Sequence, residues 1–133
     1  SGQALEARLL IDSLFDTDPD ALIAVCGDLN ADAHEMPLRI LHGDPDDTGN
    51  SRLAARSLVA VERALPEARR FSVLHAGRGV MLDHILVSRP LMARLRSVEL
   101  HNEALGDEVI GYATGGHSPE SFHAPLVATF SLA

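Results

Sequence analysis

Cysteine is almost absent from this chain, as are long apolar runs, and each absence excludes a class of protein. The 133 residues include one cysteine, one tyrosine and no tryptophan. A single cysteine excludes a framework of disulfides within the chain, and the position of Cys26 in an apolar run predicts a packed thiol rather than a reactive one. No apolar stretch approaches the roughly 20 residues that cross a bilayer, and the chain starts with an amphipathic segment rather than a signal peptide. We therefore predict no membrane span and a cytoplasmic location.

Positive charge is also scarce. Eleven lysines and arginines stand against 19 aspartates and glutamates, which gives a formal net charge of −8 with the histidines neutral. A protein that holds nucleic acid on a broad basic face needs the opposite balance. The arginines are spread over several predicted elements without interleaved aromatic residues, so no basic stripe is present. Any phosphate binding is expected to be local.

The apolar pattern predicts one α/β domain. The hydrophobic content of 46% over 133 residues is enough for a single domain with its own core. Apolar residues recur at helical spacing over 4–15, and Pro37 and Gly43 are placed to begin and end a short helix. A further helix is predicted from Arg52 towards Leu65 and a helical turn at 89–95. The predicted strands are 22–26, 71–76, 81–88, 96–101 and 124–132, with a turn at 77–79.

The most informative stretch is an apolar run that ends abruptly in polar residues. Residues 22–26 predict a strand, and Gly27 lets the backbone turn so that Asp28 and Asn30 emerge together at its end. Proteins of the α/β class place their ligands at such strand ends. The carboxylate and the amide suit a phosphate whose attacking water is oriented while its oxygens are held. An Asp/Asn turn that satisfies its own backbone is the alternative interpretation of this motif alone.

Two later motifs complete the pattern. Asp83 stands two residues before the apolar run 85–87, and His123 directly precedes the last apolar run. A buried aspartate fixes the tautomer and orientation of an imidazole, so these two side chains suit an oriented histidine. The motifs, in order, are Gly27-Asp28-Leu29-Asn30, Leu82-Asp83-His84-Ile85-Leu86-Val87-Ser88 and the segment from Ser118 to Phe130. Their order and spacing resemble the C-terminal half of the endonuclease/exonuclease/phosphatase superfamily, which includes pancreatic deoxyribonuclease, apurinic endonucleases, sphingomyelinases and inositol polyphosphate phosphatases.

The resemblance covers essentially the whole chain and implies a role for each matched residue. Asp28 matches the aspartate that orients or deprotonates the attacking water, and Asn30 matches the amide that contacts the phosphoryl group. Asp83 matches the carboxylate that orients the late histidine. His123 matches that histidine, which hydrogen-bonds the scissile phosphate and shares its developing charge. His84 stands where the family often has an aromatic residue, and we predict that it packs rather than acts in catalysis.

One departure from the family concerns the metal. Members of the family have the sequence Ser-Asp-His before the last strand, and the aspartate helps to bind metal. This chain has Phe122 in place of that aspartate. A phenyl ring cannot ligate Mg²⁺, which takes oxygen donors in octahedral geometry. Three alternatives stay open: the metal site is weakened, a residue of the preceding loop substitutes, or the protein is a catalytic relic. The candidate substitutes are Glu120, His117 and Asp107.

The larger departure concerns the family's N-terminal half, with its own sheet and its metal-binding Glu and Asn, which has no counterpart here. We therefore expect residues 1–133 to form a single domain that is a C-terminal half and a fragment of a longer protein. The expected fold is half of a four-layered α/β sandwich, with one mixed, largely antiparallel sheet covered on one face by the helices at 4–15 and 52–65. The strand runs are continuously apolar, which is typical of strands buried on both faces. We thus expect the other face to be exposed and to form a homodimer.

The resemblance implies a metal-dependent phosphoesterase of nuclease or phosphatase type, which hydrolyses a phosphate ester by in-line attack of water with Mg²⁺ or Mn²⁺. The expected catalytic residues are Asp28, Asn30, Asp83 and His123. The chain alone is expected to bind Mg²⁺ weakly and to be inactive. The alternative, motivated by Phe122, is a non-catalytic member of the family that binds a phosphorylated ligand or a protein partner.

Overall fold

The computed structural model describes residues 2–43, 54–110 and 121–133, and it has the predicted α/β class. The start of the helix predicted from Arg52 lies outside these residues. Helices α1, α2 and α3 span Gly2–Thr17, Met36–His42 and Arg89–Met92. Strands β1 to β7 span Ala24–Asp28, Leu58–Ala60, Val73–His75, Arg78–Val80, Asp83–Ser88, Leu95–Leu100 and Leu126–Phe130.

Helix α1 packs one side against the sheet and leaves apolar residues on the other. Its buried residues recur at helical spacing and end at Phe15, which is 1% exposed. The opposite side carries four exposed leucines, Leu5, Leu9, Leu10 and Leu14. Helix α2 starts at a proline, as predicted, and ends where Gly43 adopts a left-handed conformation with φ of 68°. The helices predicted at 4–15 and 37–43 are therefore confirmed.

The central sheet has the strand order β1-β5-β2, and both pairs are antiparallel. Side chains alternate along β5, so Leu86 joins the core with α1 and α2, whereas Val87 belongs to a second cluster on the opposite face. That second face is covered over β5 by the antiparallel pair of β6 and β7. Ala24 and Cys26 of β1 project on the same side as Val87 and stay exposed.

The hydrogen bonds therefore define three small antiparallel sheets where one was expected. The third is the hairpin of β3 and β4, whose two-residue turn is Ala76-Gly77, with φ of 51° and 80°. Such a turn needs positive φ at both central positions, which Gly77 supplies without strain. Strand β4 begins at Arg78, so the turn predicted at 77–79 is one residue too late.

Two further predictions from the sequence are wrong. The helix predicted to run to Leu65 is absent from 57–60, where Leu58 to Ala60 form β2. Leu58 and Ala60 face the core, and pairing with β5 outweighs the helical spacing of the apolar residues. Cys26 is exposed rather than packed, because it lies on the face of β1 that β6 and β7 do not cover. Among the described helices, none is both long enough and apolar enough to cross a bilayer.

Candidate active site

The site is built on the contact between Asp83 and His123. Asp83 is the first residue of β5, and His123 lies three residues before β7, which packs on the same face of the sheet. The Nδ1 atom of His123 donates a hydrogen bond of 2.7 Å to Oδ2 of Asp83. This bond fixes the orientation of the ring and directs the Nε2 atom away from Asp83. The contact expected from the motif order is present.

Asp28 faces the other nitrogen of the same ring. It is the last residue of β1 and stands opposite Asp83 in the antiparallel register, so both carboxylates project on one face. The distance from Nε2 of His123 to Oδ2 of Asp28 is 3.8 Å, longer than a hydrogen bond. All three side chains line a groove of about 440 Å³, together with Cys26, Ile85 and Leu126. The structure therefore places two carboxylates and one imidazole on a common opening.

Asn30 takes a different position. Its backbone is left-handed, with φ of 48°, and its N–H donates to Oδ1 of Asp28 at 3.0 Å. This turn carries the residue onto the side of α1, where it lines a neighbouring cavity of about 410 Å³ that also borders Asp28. Asn30 is not among the residues that line the groove at His123. Asn30 therefore contacts the site through Asp28. The expectation that the two side chains emerge together at one opening is wrong for Asn30.

The site favours a charged histidine. The hydrogen bond to Asp83 is the main cause that raises the pKa of His123; partial burial opposes it, and the charges of Asp83, Asp28 and Glu108 add to it. The side chains of His123, Asp28 and Asp83 are 32%, 43% and 21% exposed, so a ligand can reach all three. An imidazolium beside an open carboxylate can donate a proton or a hydrogen bond to an incoming oxygen.

A model of the Endonuclease/Exonuclease/phosphatase family matches residues 2–107 of the chain. The chain belongs to this family. The match confirms the resemblance read from the motifs and includes Asp28, Asn30 and Asp83. His123 lies beyond the match, and its hydrogen bond to Asp83 connects it to the matched residues. No curated protein and no solved structure gives a significant match to the chain.

Members of the endonuclease/exonuclease/phosphatase family are nucleases and phosphatases that typically use divalent metals, and the groove offers suitable donors. One potential ligand atom from each of Asp28, Asp83 and His123 lies within 4.8 Å of the others. Mg²⁺ is commonly held by one or two carboxylates together with waters and substrate phosphate, so the carboxylates of this group fit the ion. Phe122 supplies no oxygen from its side chain. The donor set is therefore sparse but of the right kind.

Of the three candidate substitute ligands, the structure describes Asp107. Glu120 and His117 lie outside the described residues. The carboxylate of Asp107 accepts hydrogen bonds from the backbone N–H groups of Ala76, Gly77, Val109 and Ile110. The bond from Gly77 is the main cause that lowers the pKa of Asp107; burial opposes it, and the other three bonds add to it. Asp107 therefore ties the turn between β3 and β4 to the segment that follows Asp107.

His84, next to Asp83 in the second motif, makes hydrogen bonds through both ring nitrogens. His84 is 1% exposed; its Nε2 donates to the carbonyl of Ala31 at 2.7 Å, and its Nδ1 donates to Oε1 of Glu62 at 2.6 Å. Burial lowers the pKa of His84, but the bonds to Glu62 and Ala31 outweigh this effect and raise it. The prediction that His84 is buried holds, while its polar contacts were missed. Glu62 gave no signal in the sequence, because it stands in a stretch with helical spacing.

Proposed function

We propose that the protein is a metal-dependent phosphoesterase that hydrolyses a phosphate ester by in-line attack of water. The observation that carries this proposal is the line of Asp83, His123 and Asp28 along one open groove in a member of this family. We further propose that residues 1–133 form a single domain, the C-terminal half of such a domain, so that the chain alone is inactive. The cytoplasmic location stays a prediction.

Each side chain has a distinct task in this mechanism. Asp28 orients the attacking water and accepts its proton, since its Oδ2 faces the groove and its Oδ1 is occupied by the N–H of Asn30. Asp83 keeps the Nδ1 proton of His123 in place. The Nε2–H of the charged ring then donates to a phosphate oxygen and offsets the charge that develops there. The gap of 3.8 Å between His123 and Asp28 leaves the ring free to bind an oxygen of the ligand.

A divalent ion held by the free carboxylate oxygen of Asp83, together with waters and substrate phosphate, would supply charge neutralisation at the phosphate. Mg²⁺ and Mn²⁺ are the proposed ions, since both prefer oxygen donors. Asn30 contributes by holding one oxygen of Asp28, which leaves the other directed at the groove.

The test is hydrolysis of a generic phosphodiester, bis(p-nitrophenyl) phosphate, as Mg²⁺ is titrated, with the complete protein and with the 133-residue chain. We expect turnover by the complete protein and a loss of at least about 100-fold in Asp28→Ala. Asp20→Ala is the matched control, because Asp20 is an exposed aspartate outside the groove. Turnover that survives Asp28→Ala would contradict the proposed mechanism.

The alternative function is a non-catalytic member of the family that binds a phosphorylated ligand or a protein partner. Phe122 favours it, because the side chain at this position cannot bind metal. The same titration separates the two functions. Binding of a phosphate ester that needs Asp28 and His123, without turnover at any Mg²⁺ concentration, would support the alternative.

We also propose that two copies of the chain associate through the uncovered part of the sheet. Ala24 and Cys26 are exposed there, beside the partly buried Ile85 and Leu126. The strip borders the proposed active site, so a partner would narrow the groove. Exposed apolar surface at the edge of a groove is typical of interaction sites.

A further inference from the structure

The buried pair of Glu62 and His84 has no part in the mechanism above, yet it is bonded to the segment that carries Asn30. We propose that Glu62 and His84 are positioning residues that hold the Ala31 carbonyl and thereby orient Asn30 and Asp28. This inference rests on the proposed function, since the positions it fixes are those of the phosphate site.

The turn after β1 needs such support. Gly27 has φ of 145° and Asn30 has φ of 48°, so the backbone leaves the strand through two conformations that are rare for residues with side chains. A left-handed conformation is unfavourable at a non-glycine residue, although less so at asparagine, and it persists where the surroundings support it. The carbonyl of Ala31, immediately after Asn30, accepts the hydrogen bond from His84. That bond restrains the turn at the residue next to the strained one.

The ring of His84 is itself held rigidly. Its other nitrogen is 2.6 Å from Oε1 of Glu62, and the side chains of His84 and Glu62 are 1% and 5% exposed. The second oxygen of Glu62 is buried and has no hydrogen-bond partner among the described residues, so the bond to His84 carries the whole polar interaction of this carboxylate. Leaving a buried polar group unsatisfied is costly. The bond to His84 therefore offsets part of the cost of burying this carboxylate.

Strand β5 connects this pair to the catalytic groove. Asp83 and His84 are consecutive, so their side chains lie on opposite faces of the strand. Asp83 orients His123 on one face, while His84 holds Ala31 on the other. One strand thus sets the relative positions of the histidine and of the Asp28–Asn30 turn, which approach the groove from different parts of the chain.

The test compares His84→Leu, Glu62→Leu and Glu62→Gln with the control His42→Leu. His42 is a suitable control because its Nδ1 also bonds a backbone carbonyl, that of Leu58 at 2.8 Å, outside the site. The first readout is the ¹⁵N order parameter in the 133-residue chain. We expect S² at Asn30 and Ala31 to fall from about 0.85 to below about 0.6 in His84→Leu and in Glu62→Leu, as for flexible backbone. Leu86 should keep its value, and Glu62→Gln should resemble the wild type because its side-chain amide can still hydrogen-bond Nδ1 while Nε2–H donates to Ala31.

The second readout is hydrolysis by the complete protein. We expect His84→Leu and Glu62→Leu to lower kcat at least tenfold with KM within threefold of the wild type. The kcat of the double variant should be no lower than that of the less active single variant, because both substitutions disrupt the same Glu62–His84 pair. His42→Leu should leave kcat unchanged.

Order parameters at Asn30 and Ala31 that stay at the wild-type value in folded His84→Leu would overturn the proposal. If His84→Leu does not fold, the comparison of Glu62→Leu with Glu62→Gln decides it by the same measurement. Absence of turnover in the wild-type complete protein would overturn the proposed function only. The order parameters would still show whether the pair holds the turn.

Discussion

At the scale of single residues, the charge of one imidazole depends on one carboxylate. His123 keeps its proton to a higher pH than a free histidine chiefly because Asp83 accepts the Nδ1–H bond. The negative charges of Asp28 and Glu108 raise this pKa further. The acidity of His123 and its orientation therefore have the same origin, and both change when that carboxylate is altered.

Asp83→Asn should lower the pKa of His123 and reduce turnover about 100-fold to 10,000-fold, the usual range for losing an oriented acid or base. The neutral amide no longer stabilises the imidazolium, and it allows the wrong tautomer. The pKa is measured by NMR titration of the ring protons and the turnover by phosphodiester hydrolysis. Glu103→Gln, an exposed acid paired with Arg69, is the control. An unshifted His123 titration in Asp83→Asn would contradict the assignment of Asp83 as the cause.

Phe122→Asp should strengthen Mg²⁺ binding, because it adds a carboxylate next to His123 where the family has its metal-binding aspartate. Isothermal titration of Mg²⁺ into the wild type, Phe122→Asp and Phe122→Asn measures the effect. The asparagine variant has the same size without the charge and should bind less tightly than the aspartate variant. Equal affinity in all three proteins would show that position 122 does not face the ion.

At the scale of elements, β5 is the strand that connects the molecule. It pairs with β1 on one side and with β2 on the other, and it contributes side chains to both apolar clusters. Its buried histidine, His84, has a raised pKa, so the stability of this element depends on pH. A histidine whose folded pKa exceeds its unfolded value near 6.5 stabilises the fold fully below that value.

The free energy of unfolding should therefore decrease as the pH rises from about 6.5 through the folded pKa of His84. Urea unfolding at intervals between about pH 6 and pH 9 measures this dependence. Glu62→Gln should make it shallower, since the neutral amide no longer favours the charged ring of His84, while the contribution of His123 remains. A profile that falls equally steeply in Glu62→Gln would assign the dependence to another group.

Periodicity predicted the elements that form from local sequence, and motif order predicted the contact of greatest functional interest. Helix α1 and the contact of Asp83 with His123 follow from spacing and from residues that end strands. Strand β2 could not be predicted from spacing, because a three-residue edge strand is determined by its pairing with β5 rather than by its own pattern. The role of Glu62 was missed for the same reason. The direction of Asn30 depends on a backbone conformation that the sequence does not specify.

At the scale of the whole molecule, two exposed apolar surfaces compete as sites of association. One is the strip of β1 with Ala24 and Cys26, and the other is the outer side of α1, with its four exposed leucines. They lie on different elements, so single charged substitutions separate them. A closed dimer needs only one self-complementary surface.

We expect a dimer at tens of micromolar by light scattering after size exclusion, and we expect Ala24→Glu to convert it to a monomer. The buried carboxylate would be costly at an apolar interface. Leu9→Glu, on the outer side of α1, should leave the dimer intact. A wild-type monomer, or a dimer that Leu9→Glu dissociates while Ala24→Glu does not, would contradict association through the sheet.

Because Cys26 is exposed and lines the groove, the reactivity of its thiol can report on occupancy of the groove. It is the sole thiol in the sequence and borders the groove two residues before Asp28. One maleimide fluorophore or nitroxide can therefore be attached at a single defined position without engineering a background free of cysteine. A phosphate ester or a second copy that covers the groove should slow alkylation of this thiol. The rate of carboxymethylation thus becomes a footprint of occupancy, readable by mass spectrometry even in the absence of turnover.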